Sequence, residues 1–176
     1  MRDGITWIAK SDINECGYCV TFARGPSSSD LATRLVAAAP EWSRAHLSLH
    51  HGTIGDLAYA VAEGDTWSGV MGPGYTEGLS DGGAHVFQLY YESRNPKLPP
   101  PDFCYFHDGQ LLCGFDMYMH TWSHEVVGTQ PELVAPYLHT AGVPEEADRD
   151  TAHLKSLQVI QERFGLTLPR EEVLRQ

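Results

Sequence analysis

The chain has 176 residues and a formal charge of −11, from 23 acidic and 12 basic side chains with its nine histidines neutral. That length suits one domain with its own core, and 42% apolar against 20% charged residues excludes a wholly disordered chain. No run of Lys and Arg exists to grip a phosphate backbone or an anionic membrane, which argues against both partners.

The acid is local. Residues 1–55 hold five acids and five bases, residues 56–143 eleven against two, and residues 144–176 seven against five. The middle segment also holds five of the nine histidines. Solubility alone explains such an excess, and so does a site for a cation or basic partner.

Residues 1–15 read as an irregular lead-in, followed by a strand over Cys16–Ala23. Ser27 and Asp30 are spaced as a capping box, and Leu31, Leu35 and Ala39 lay an apolar stripe on a helix that Pro40 ends. Residues 41–54 fit helix or strand; the alternation of Leu47 and Leu49 with His46, Ser48 and His50 leans toward a strand. Strands are expected over Leu57–Ala62, Thr66–Met71 and Ala84–Glu92, punctuated by Gly72-Pro73-Gly74 and Asp81-Gly82-Gly83. Asn95-Pro96 and Pro99-Pro100-Pro101 make a rigid connection into a hairpin turning on Asp108-Gly109. A two-residue turn there pairs His107 with Gln110 and, carried straight back, sets Cys104 against Cys113.

The C-terminal third changes period. Pro131–Thr140 reads as a short helix in conflict with Pro136, Asp148–Phe164 as a long one stopped by Gly165, and residues 166–176 as a short helical tail. The sum is a single α+β domain over 1–176: a mostly antiparallel sheet of about five or six strands, with two to three helices packed on one face.

No apolar stretch of signal-peptide or membrane-span length occurs, so the chain is expected in the cytoplasm with its four cysteines as thiols. Cys16-Gly17-Tyr18-Cys19 sits in a strand and lacks the second ligand pair of a zinc knuckle. Nothing matches G-x-S-x-G, H-E-x-x-H, a P-loop or a Rossmann fingerprint.

The richest candidate is Asp116-Met117-Tyr118-Met119-His120-Thr121-Trp122-Ser123-His124-Glu125, a strand end running into a loop. His120 and His124, with Asp116 or Glu125, are the right types for a general acid/base pair or for a divalent metal, although no cofactor is assigned. Tyr118, Trp122, Trp67 and Tyr105 are the aromatic candidates for an apolar wall. His46, His50 and His51 form a second cluster without a neighbouring acid.

Several segments resemble a known family. They are Gly17-Tyr18-Cys19-Val20-Thr21-Phe22-Ala23-Arg24-Gly25 ahead of a helix, the stretch from Trp67 to Gly74, Leu79-Ser80-Asp81-Gly82-Gly83, Asp108-Gly109 leading to Phe115-Asp116, and Gly128-Thr129-Gln130-Pro131-Glu132-Leu133 running to Ala141-Gly142-Val143. Together they resemble small actinomycete (Streptomyces-type) proteins grouped as a domain of unknown function. The resemblance covers residues 16–168 and implies a shared fold without any catalytic role to carry over. The histidines and the Pro-rich 96–101 stretch depart from the pattern.

Two functions follow. One is a non-catalytic binding or regulatory module whose acidic middle recognises a basic peptide, a protein or a small cationic ligand, with room for a homodimer through an exposed strand. The other is a small tailoring or isomerising enzyme using the 116–125 loop.

Overall fold

The structure is a computed structural model, and it describes residues 3–10, 13, 17–44, 47–63, 77–92, 99–119 and 124–174. Six strands form one antiparallel sheet: β1 (Tyr18–Arg24), β2 (Ser48–Ile54), β3 (Leu57–Glu63), β4 (His85–Tyr91), β5 (Asp102–His107) and β6 (Gln110–Asp116). Their spatial order is β2-β3-β1-β4-β5-β6. The helices are α1 (Ser28–Ala38), α2 (Glu41–Arg44), α3 (Ala135–Thr140), α4 (Arg149–Phe164) and α5 (Arg170–Leu174). The fold is α+β, as expected, and the ambiguous stretch 41–54 divides into α2 and β2. The strand expected over Thr66–Met71 lies outside the described residues. No helix among the described residues is long and apolar enough to cross a membrane.

Side-chain size separates the two faces of the sheet. One face presents Val20, Phe22, Tyr59, Phe87, Leu89, Phe103 and Tyr105, all buried under the C-terminal helices. Phe164, the last residue of α4, lies against Phe87, Phe103 and Tyr105 with ring centroids 5.2–5.5 Å apart. Burying each such ring contributes about 1.5–3 kcal/mol. α4 begins at Asp148, whose carboxylate accepts from the Thr151 N–H at 2.9 Å, and ends at Gly165 with φ 63°. The lead-in is less irregular than expected: Thr6–Lys10 is a 3₁₀ helix, because Ile5 N–H donates to Gln161 Oε1 at 2.7 Å and buried Ile5 and Ile8 join this core. The helix expected over Pro131–Thr140 is interrupted ahead of Pro136: a 3₁₀ turn over Pro131–Leu133 ends at Val134, and α3, little more than one turn long, restarts with Pro136 in its first turn.

Helices cover both faces rather than the one expected: on the opposite face α1 settles through Leu31, Leu35 and Ala39 on the small residues Ala23, Ala58 and Ala60. Ser27 caps α1 as expected, its hydroxyl accepting from the Asp30 N–H at 3.1 Å. This cover is partial. Toward the β5–β6 edge the same face is left open to a cavity.

The Asp108-Gly109 turn forms with both residues at positive φ (48° and 71°), as a type I′ hairpin requires. His107 pairs with Gln110 and Phe106 with Leu111, but a β-bulge between Tyr105 and Phe106 then shifts the ladder by one residue. Tyr105 therefore pairs with Cys113 and Cys104 with Gly114, so the two thiols do not face each other. Cys104 lies with Phe106 and Leu111, whereas Cys113 and the extra residue Leu112 join the helix-packed core.

Candidate functional site

The bulge has a second effect. An unshifted ladder would set Asp102 opposite Phe115, whereas the shifted one makes Asp102 and Asp116 cross-strand partners on the face with the cavity. Directly opposed side chains on paired strands have Cβ atoms about 4.5–5.5 Å apart. Two carboxylates are thereby held side by side at one end of the sheet.

Their surroundings differ. Asp116 closes β6 and is buried, with 6% of its surface exposed. Its Oδ1 accepts from the N–H groups of Tyr118 at 2.9 Å and Met119 at 2.6 Å, an Asx-type turn that carries Met119 into a positive φ of 53°. α4 clamps the segment beyond: the Ser156 hydroxyl donates to the Met117 carbonyl at 2.8 Å. Asp102 opens β5, is half-buried, and has no hydrogen-bond donor on its carboxylate among the described residues. Burial, then Asp116, then Glu92 push its pKa up to about 6.

The cavity beside this pair has a volume of about 430 Å³. Pro99, Pro100, Leu111 and Val127 supply apolar walls, Gln88, Tyr90, Cys104 and Gly114 floor it, and Glu92, Asp102, Asp116 and Glu125 bring four carboxylates. One wall is the segment after the loop: Val127 and Gly114 exchange two main-chain hydrogen bonds at 2.9 Å, beyond the edge of β6. Gly128 permits this approach, because a Cβ there would collide with the Leu112 carbonyl oxygen and its φ is 121°. Burial raises the Cys104 thiol to about 12, so it stays protonated and is a poor nucleophile.

The expected site residues separate. Asp116 and Glu125 line the cavity. His124 is exposed, its Nδ1–H donating to the Met119 carbonyl at 2.8 Å, and it is not part of the lining. Tyr118 turns to the helix side, edge-on to His153 and beneath Arg149. There His153 Nε2 is bonded to the Tyr91 hydroxyl at 2.7 Å, and burial lowers the imidazole pKa to about 4. Tyr105 is on the helix side as well, its hydroxyl 2.7 Å from His85 Nδ1. His120, Trp122 and Trp67 lie outside the described residues. Among the described residues no three His, Cys, Asp or Glu side chains converge as a metal site requires. Asp102 and Glu92 belong to no local motif, although both fall inside the acid-rich 56–143 segment.

No protein-family model, no curated protein and no solved structure matches the chain.

Proposed function

We propose that the chain is a small-molecule binding protein whose pocket takes a compact, mostly apolar molecule bearing a positively charged nitrogen. The observation that carries this is the cross-strand pair Asp102 and Asp116 at the edge of one largely apolar cavity of about 430 Å³, with Glu92 and Glu125 elsewhere in its lining. Cavities of roughly 300–1,000 Å³ lined by apolar groups with a few placed polar ones are the usual form of ligand sites. Asp102 and Asp116 repel each other in low dielectric, and a cation between them turns that repulsion into attraction. Among the partners the acidic middle suggests, a pocket of this size favours a small ligand over a protein surface. Cytoplasmic residence belongs to the same proposal, supported by the free thiols of Cys19, Cys104 and Cys113. Membership of the actinomycete family is likewise proposed on the segments that resemble it.

Titration calorimetry with benzylamine, phenethylamine and cyclohexylamine against their alcohol counterparts tests the binding. The amines are expected to bind at least about tenfold more tightly than the alcohols, with the difference lost in Asp102→Asn. Affinity for an amine is expected to rise with pH through about 6 as Asp102 ionises. Equal binding of amines and alcohols, or none at all, rejects the proposal.

A further inference from the structure

We infer that the pocket is also a proton-transfer site in which the Asp102 carboxylate is the base, an inference that rests on the pocket holding a small molecule. Asp116 is less suited to the role, because it is buried with 6% of its surface exposed and its Oδ1 is committed to two main-chain N–H groups. Asp102 carries no such bonds among the described residues and lines the cavity directly. The Cys104 thiol, its neighbour on β5, is held protonated by burial and by Asp102.

The environment suits the chemistry. A carboxylate in bulk water is too weak a base to abstract a proton from carbon efficiently. Burial and the facing charges of Asp116 and Glu92 strengthen Asp102, while leaving it ionised at neutral pH. The apolar walls Pro99, Pro100, Leu111 and Val127 offer the charge no hydrogen-bond donor and reduce its contact with water. Tyr90 and Gln88 from β4, Glu92 beyond it and Glu125 from the opposite wall complete the polar groups around the cavity.

In the step, an Asp102 oxygen takes a proton from an acidified C–H of the bound molecule, and the C–H electron pair enters the molecule's π system. Returning the proton to a different carbon completes an isomerisation with no other reactant. The substrate class is a small molecule whose C–H is acidified by an adjacent carbonyl or iminium group.

The probe is 5-nitrobenzisoxazole. Its C3 proton passes to Asp102, the C–H electron pair forms the nitrile as the N–O bond breaks, and the coloured phenolate leaves; Asp102 then releases the proton to solvent. Wild-type protein is expected to accelerate this elimination about 100-fold or more over equimolar acetate, with the rate falling as pH drops below about 6. Asp102→Asn, checked for folding by circular dichroism, is expected to lose that acceleration, and Tyr105→Phe on the other face to keep it. Any result in which wild type is no faster than Asp102→Asn overturns the inference. If the amines still bind in that case, the pocket stands and only its chemistry is rejected; if neither amines nor probe bind, both fall.

Discussion

The two faces of this sheet are built from the same six strands and do opposite things. Beneath the C-terminal helices the strands present Phe22, Tyr59, Phe87 and Phe103, each no more than 2% exposed, packed in one core with residues of α4. On the other face alanines meet α1, and beyond α1 the surface falls away into a cavity with half-buried Asp102 and buried Asp116 at its edge. The helix-packed face is thus filled by aromatic side chains, whereas the other combines alanines under α1 with Phe106 and Val86 and sets Asp102 and Asp116 beside the cavity. Polar groups follow the same division: His153 is buried and satisfied by Tyr91, whereas Asp102 is buried enough to be perturbed and has no donor among the described residues.

The strongest way to break this contrast is to shrink one residue on each face. Phe22→Ala is expected to cost about 3–5 kcal/mol in urea unfolding, as a cavity in a close-packed core does. Val127→Ala, at the wall of the pocket, is expected to stay within about 0.5 kcal/mol. Comparable losses from the two would mean the pocket face is as structural as the other.

Acid distinguishes the faces next. The imidazole of His153 is lowered from 6.5 to about 4, so the unfolded chain binds this proton first as pH falls. Stability from this group is complete above about 6.5 and is lost as pH falls through 4, amounting to about 2–3 kcal/mol. A urea series between pH 7 and 4 on wild type and His153→Gln should show this loss in wild type and a flatter profile in the variant. Identical profiles would mean the helix side is not where the acid sensitivity lies.

Asp102 behaves in the opposite sense. Its carboxyl is raised from 3.8 to about 6, so the folded chain holds the proton more tightly and ionisation destabilises the fold as pH rises from about 4 to 6. Asp102→Asn is expected to gain about 1–2 kcal/mol at pH 7, after allowance for solvent screening, with the gain vanishing near pH 4. Greater stability together with lost amine binding is the signature of a group kept for function. A destabilised Asp102→Asn would instead make the carboxylate a structural element.

Much of the architecture was legible in the residues. Asp108-Gly109 marks its turn because few residues tolerate positive φ; Ser27 and Gly165 mark helix ends through their capping chemistry. The bulge was not legible. Nothing local in Tyr105-Phe106 or Leu111-Leu112-Cys113 signals an extra residue, which arises when Leu112 and Cys113 both find room in the helix-packed core. That shift of one residue separates Cys104 from Cys113 and brings Asp102 to Asp116. The loop with His124 attracted attention through its residue types, yet its ring is tied to the Met119 carbonyl and exposed. All four carboxylates that line the cavity lie within residues 56–143, the segment that holds the excess of acid.

By itself, then, the sequence determined the α+β class, the hairpin, the helix ends and the acid-rich segment, because backbone sterics, capping and charge act over a few residues. Only the tertiary structure decided which acids meet. Their meeting depends on a register shift that packing on the far face of the sheet imposes, and no local preference encodes it.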